Sequence, residues 1–213
     1  MDVYRTLAGE ATAQITEKRS VFISSVRPVS TEDEAAAFVA EVQKKYSDAR
    51  HNVYAYVLRA GCAARFSDNG EPHGTAGLPT LDVLRKNGIF DAAVVTTRYF
   101  GGILLGTGGL VRAYTQAAAL AVEKAGITVV RPYSRFSLRL SYPDYGRLMP
   151  SAERTGIIID RTEYGDSVTV FARVPEEFER TARAALTELF GGRVEINMLE
   201  SVMMHGGTGT DPA

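Results

Sequence analysis

Nine of the chain's 20 glycines lie between residues 67 and 114, eight of them in two clusters at 69–77 and 101–109 joined by an apolar run. Glycine costs backbone entropy on folding, so that density belongs where the backbone takes positive φ or approaches something closely. The reading that follows is that the two clusters are loops, that they build one surface, and that this surface carries the function.

The rest of the composition narrows the classes. With 213 residues and 45% apolar content the chain buries a sizeable core, and two domains are expected. Lys plus Arg is 24 and Asp plus Glu is 25. The balance is 14 against 13 over residues 1–130 and 10 against 12 over 131–213, so any nucleic-acid contact must be a local patch. The N-terminus lacks a basic start before an apolar run, and no stretch approaches the roughly 20 apolar residues of a spanning helix. A cytoplasmic protein with no membrane contact is expected. The single cysteine, Cys62, excludes an internal disulfide framework and a multi-cysteine zinc site, and is read as a small buried hydrophobe.

Periodicity supplies the elements. Residues 14–29 read as strand, turned at 17–19 and closed by Pro28. Thr31 and Glu34 have capping-box spacing, and Ala35, Phe38, Val39, Val42 and Tyr46 recur on one helical face. Residues 52–59 read as a strand buried on both faces, and 63–66 as a short strand. A helix is expected from Thr75 to a cap at Gly88, with Pro79 in its first turn. A strand over 89–97 follows, then a long helix burying Leu110, Tyr114, Ala117, Ala118, Ala121, Val122 and Ala125. The second half gives a strand over 136–142, a short helix ending near Pro150, a hairpin of 157–163 with 167–174, a helix over 176–190 and a strand over 193–199. That order, βαββαβ, is the split ferredoxin-like unit. The expected domains are 1–130 and 131–200, with a disordered tail over 201–213.

The loop at 101–109 precedes a helix, where backbone N–H groups and the helix dipole favour an anion. It is not a nucleotide loop of either common kind. A P-loop needs Lys and then Ser or Thr after its last glycine, where this chain has Leu110 and Val111, and a dinucleotide fingerprint needs Gly or Ala at Val111. Gly101, Gly102, Gly106, Thr107, Gly108 and Gly109 therefore stand as general ligand or anion contacts. Arg112 opposes the dipole of its helix unless an anion is near, and Arg98 leaves the preceding strand towards the same end. Internal pairing with Asp68 or Glu71 is the preferred reading, and an external phosphate or carboxylate the other. Asp68, Glu71 and His73 can be drawn as acid, base and orienting group, but a turn-shaping role is preferred. Tyr99 and Phe100, on a loop between Arg98 and Gly101, are a candidate stacking platform. His51, His73 and His205 have no metal-ligand spacing, so no metal is expected.

The stretches Asp68-Asn69-Gly70-Glu71-Pro72-x-Gly74-Thr75-Ala76-Gly77-x-Pro79 and Arg98-Tyr99-Phe100-Gly101-Gly102-x-x-Leu105-Gly106-x-Gly108-Gly109-Leu110-x-Arg112-Ala113-Tyr114 resemble the signature of the YigZ/IMPACT family. The chain from residue 14 to about 200 is similar to the bacterial two-domain form. The resemblance implies an α/β (α+β) protein whose N-terminal domain has the two-layer fold of domain two of ribosomal protein S five. Its C-terminal ferredoxin-like domain would be similar to domain five of elongation factor G. Pro150 departs from the long helix such a domain would carry. The family is associated with translation. Eukaryotic members carry an extra N-terminal module that competes for an activator of a translation-initiation-factor kinase, and that partner is not expected to transfer.

The expected function is a non-enzymatic, translation-associated binding protein that contacts RNA, the ribosome or a translation factor. Arg98, Tyr99 and Arg112 would touch phosphate or base, with the backbone of 101–109 in close approach. No cofactor and no sequence-specific DNA contact are expected. The alternative is a hydrolase or transferase on a small phosphorylated or carboxylated substrate, using Asp68, Glu71 and His73 in a pocket between the two loops. A third reading is structural, with the arginines paired internally.

Overall fold

The computed structural model describes residues 2–205 and divides into two compact units, Tyr4–Val129 and Val130 onward. In the first, strands β1 (Tyr4–Leu7), β2 (Ala11–Glu17) and β3 (Ser20–Pro28) lead to helix α1 (Glu32–Lys45). Strands β4 (His51–Val57) and β5 (Ala64–Ser67), helix α2 (Gly77–Lys86), strand β6 (Ala92–Tyr99) and helix α3 (Thr107–Ala125) complete it. The sheet runs β2-β3-β6-β4-β5, and every neighbouring pair is antiparallel.

Alternation along central β6 shows how the core is split. Ala92 and Val94 pack with Leu81 and Leu84 of α2 and Ala118, Ala121 and Val122 of α3. Ala93 and Val95 pack on the other face with Ala35, Phe38, Val39 and Val42 of α1. The α/β layer pair of sheet and α2/α3 therefore gains α1 as a cover on its far side. Ala117, Ala118 and Ala121 of the α3 stripe are fully buried and Ala125 half-buried, which lets that helix lie close on β2 and β3. The turn expected at 17–19 is a tight hairpin between β2 and β3, with Lys18 and Arg19 at φ 44° and 67°.

The second unit contains β7 (Ile127–Leu140, which begins at the end of the first unit), helix α4 (Tyr142–Thr155), the hairpin β8 (Ile158–Tyr164) and β9 (Val168–Pro175), and helix α5 (Glu179–Phe190). Strands β10 (Ile196–Met198) and β11 (Val202–His205) follow, and the order across the sheet is β10-β7-β9-β8, all antiparallel. This is the ferredoxin-like arrangement. Both helices lie on one face, where Leu148, Ala152, Ala182, Leu186 and Phe190 meet Phe136, Leu138, Val170 and Ala172.

Three expectations need correction. Helix α4 does not stop near Pro150 but continues to Thr155. Pro150 removes one N–H and crowds the carbonyl of Gly146, but burial of Leu148 and Ala152 on either side outweighs that loss. The tail expected from residue 201 opens with β11, which pairs with Val130–Tyr133 and so satisfies an edge of β7 that β10 does not reach. Residues 206–213 lie outside the described residues. Cys62 is exposed, because Ala60–Cys62 forms a surface turn with Gly61 and Cys62 both at positive φ.

Candidate functional site

The first glycine-rich loop is built around two carboxylates. Helix α2 has no side-chain cap of its own and no acidic residue in its first turn. Asp68 supplies the missing acceptor from eight and nine residues upstream, taking the N–H groups of Ala76 and Gly77 on Oδ1 at 3.1 and 2.8 Å and that of Gly74 on Oδ2 at 2.9 Å. Burial opposes its charged form, but these amides, aided by His73, outweigh it and hold the carboxyl below the usual aspartate range. Asn69 stitches the same loop to β4, its Oδ1 accepting from the N–H of Asn52 at 2.7 Å and its carbonyl lying 2.8 Å from His51 Nδ1.

Asp68→Asn is therefore expected to cost about 1–2 kcal/mol at neutral pH, the range for losing a charged helix cap. A depressed folded pKa contributes stability fully above the unfolded value of about 3.9 and loses it as pH falls through the folded value. Urea midpoints of wild type and variant should converge between pH 7 and pH 3, and a gap that stays constant would contradict this role.

Glu71 binds the loop to the rest of the domain. Its Oε1 accepts from Arg98 Nη1 at 2.7 Å and from the Tyr114 hydroxyl at 2.8 Å, with the Glu71 and Arg98 side chains only 3% and 7% exposed. Burial first, and then the Glu71 charge, push the Tyr114 phenol far up, which keeps it a donor. The Arg98 guanidinium lies 5.5 Å from the ring centroids of Phe22 and of Phe100. Phe22 meets Tyr114 edge to face at 5.1 Å. Strand β6, helix α3 and the first loop thus share one buried polar junction.

The second loop closes onto the same place. Leu105 is buried with Ala76, Phe22, Leu110 and Tyr114, so both glycine-rich loops are pinned to one apolar cluster. Gly101 lies against the β2–β3 turn, and its N–H donates to Ser20 Oγ at 3.2 Å. The loop then presents Phe100 at 53%, Ile103 at 42% and Leu104 at 81% exposure. Gly106 caps α3 with φ 73° and no side-chain bond, and the first turn carries no acidic residue. Thr107, Gly108 and Arg112 are exposed, and Arg112 has no charged partner among the described residues.

The expected site residues thus separate. Arg98, for which internal pairing with Asp68 or Glu71 is the preferred reading and an external phosphate or carboxylate the other, pairs with Glu71 and is sealed inside. Tyr99 is half-buried, and its hydroxyl donates to Asp48 at 2.8 Å. Asp68 and Glu71 are both committed to structural bonds, and His73 is wholly exposed, 3.8 Å from Asp68. The space between the loops where the alternative, enzymatic reading puts a pocket is occupied by Glu71, Arg98 and Tyr114. Cavities of about 780, 720 and 320 Å³ are lined by other residues, on α5 and along β2. Among the described residues no group of three or more His, Cys, Asp or Glu is placed to hold a metal, and no helix is long and apolar enough to cross a membrane. The sequence reading missed the part played by Ser20 and the β2–β3 turn, whose sequence signals only a bend.

Comparison with known proteins places this geometry. Residues 18–122 match the Impact N-terminal domain, and residues 138–193 match a domain of unknown function, DUF1949. The chain is 32% identical over 194 residues to the IMPACT family member YvyE of Bacillus subtilis, covering 91% of this chain and 89% of that protein. The chain belongs to the IMPACT family. It is also similar to the IMPACT family member YigZ of Escherichia coli, with 39% identity over 128 residues, 59% of this chain and 63% of that one. A solved structure titled only as a hypothetical protein shares 30% identity at a TM-score of 0.60, over 94% of this chain and 98% of that one. The Impact N-terminal match spans both glycine-rich loops and the buried junction between them.

Proposed function

We propose that this IMPACT-family chain is a non-enzymatic, translation-associated binding protein that docks on the ribosome through the surface of its second glycine-rich loop. The observation that carries the reading is the contrast between its two arginines. Arg98 is neutralised inside by Glu71, whereas Arg112 stands exposed with no charged partner among the described residues, beside a helix end without a side-chain cap and the exposed side chains Phe100, Ile103 and Leu104. An apolar tip beside a lone cation suits a surface that offers both bases and phosphates. Family membership supports the translational setting. The hydrolase or transferase reading loses its acid and base, since Asp68 and Glu71 hold backbone amides, Arg98 and Tyr114.

The test is cosedimentation of the full chain with ribosomes. Arg112→Ala is expected to lower the bound fraction several-fold at low salt while moving the melting midpoint by no more than about 0.5 kcal/mol equivalent, as for other surface substitutions. Wild-type chain that stays in the supernatant, or a variant that unfolds, would remove the proposal.

A further inference from the structure

We propose that the open sheet face of the second unit is a separate binding site for unpaired nucleic acid. Helices α4 and α5 both cover the face that carries Phe136, Leu138 and Val170. Side chains alternate across a strand and cross-strand partners share a face, so register identifies what the other side carries. There Arg135 lies opposite Arg173, Ser137 opposite Phe171, and Arg139 opposite Thr169. Strand β8 adds Arg161 opposite Phe171 and Glu163 opposite Thr169. Four arginines and the half-buried Phe171 ring thus meet on a single face of an antiparallel sheet, with the buried Tyr133 ring at its end under the Arg173 guanidinium.

The charges on this face are not balanced from within. Arg173 is engaged by Asp160 and Arg161 by Glu163. Arg135 has no charged partner among the described residues, and Arg139 reaches only the Ser167 hydroxyl, at 2.9 Å. Like charges placed directly opposite on neighbouring strands destabilise a sheet, yet Arg135 and Arg173 are held in that relation. The unit as a whole has no excess of positive charge, with 10 Lys and Arg against 12 Asp and Glu over residues 131–213. The concentration of arginine is therefore a property of the face, and it calls for an external anion.

The aromatic group decides which anion. The Arg161 guanidinium stacks over the Phe171 ring at 4.0 Å, forming a flat platform between Arg135 and Arg139. Four residues of strand separate those two, about 13 Å, so the pair can follow successive phosphates of an extended strand while a base lies on the platform. Unpaired bases stack on aromatic rings and on guanidinium planes, and four-stranded sheets are a common stage for that contact. A base-paired duplex hides the faces this platform would take. The site lies on one unit and does not depend on the glycine-loop surface.

The experiment titrates the full chain against fluorescein-labelled oligouridine of about 12 nucleotides by fluorescence polarisation, between about 50 and 200 mM salt. The expected result is binding that weakens with salt. Arg135→Ala with Arg139→Ala should weaken it about tenfold and flatten the salt slope by about 1.4, the value for two lost phosphate contacts on a single strand. Phe171→Leu should cost about tenfold through lost stacking. Arg139→Gln, at an exposed position, is the variant safest for folding and should flatten the slope by about half as much. Lys86→Ala, at an exposed position at the end of α2, should leave this binding unchanged, which separates the face from a general loss of positive charge. Oligothymidine is the second arm. Equal binding supports recognition through base and phosphate alone, and preference for oligouridine supports RNA as the source. The proposal is overturned by no binding at the lowest salt, by equal binding of a duplex, by equal competition from polyglutamate, or by an unchanged slope in the double variant.

Discussion

Replacing Glu71 by alanine is expected to destabilise the N-terminal unit by about 3–5 kcal/mol, the cost of leaving a buried charge without its partner. The corresponding fall in melting midpoint is roughly 10–15 °C. The loss is large because Arg98 cannot neutralise itself as a buried lysine can, and its side chain is 7% exposed. Tyr114 would lose its acceptor as well, a further buried polar group without a partner. Two further variants separate this cause from simple loss of packing. Tyr114→Phe alone should cost about 1–2 kcal/mol, since it removes one hydrogen bond and frees Glu71 for Arg98. Glu71→Leu combined with Arg98→Met and Tyr114→Phe should recover most of the loss, because a buried ion pair replaced by apolar groups is often near neutral. Chemical denaturation of the four proteins checks the set, and a cost below about 1 kcal/mol for Glu71→Ala would sink the account.

The second large effect is expected at Gly101. A Cβ there would sit 2.0 Å from the carbonyl carbon of Arg19, 2.1 Å from its oxygen and 2.4 Å from the nitrogen of Ser20. These are backbone atoms of the β2–β3 turn, so no side chain can swing aside. Gly101→Ala must push the loop off the turn and break the bond to Ser20, which places the cost above about 3 kcal/mol, in the range of overpacked sites. Gly108 is the natural comparison. It lies in the first turn of α3 with open space around its Cβ position, so Gly108→Ala should be neutral or stabilising by up to about 1 kcal/mol. Thermal melts of the two variants should therefore move in opposite directions or differ by several kcal/mol. Similar small shifts in both would show that the close approach at Gly101 is not fixed.

How far the sequence could be read is clearest element by element. The start of α1 was legible because its signal is local. Thr31 Oγ1 accepts from the Glu34 N–H at 3.1 Å, and the Glu34 carboxylate returns to the N–H of Ser30 at 2.6 Å, one residue earlier than the spacing suggests. The β8–β9 hairpin and α5 were likewise written in short-range periodicity. Strands β1 and β11 were not, since each has only four residues and takes its place from chain far away in sequence, Ile89 and Phe90 for Arg5 of β1 and Val130–Tyr133 for β11. The site shows the same division. That Asp68 or Glu71 answers Arg98 was legible from charge alone. The choice of Glu71 was not, because it follows from α2 lacking a cap and claiming Asp68 for three amides. The sheet-face arginines escaped notice because Arg135, Arg139, Arg161 and Arg173 come from three strands whose register no local pattern specifies.

The pinning of both glycine-rich loops has a consequence for association. A partner that meets a flexible loop must order it, at an entropic cost that weakens binding. Here that ordering is completed during folding, by Asp68, Glu71, Leu105 and the seat of Gly101 against the hairpin. Phe100, Ile103, Leu104 and Arg112 are thus offered on a preorganised support. A small contact area can then yield useful affinity, and changes in affinity among variants of these four side chains should appear in the dissociation rate far more than in the association rate.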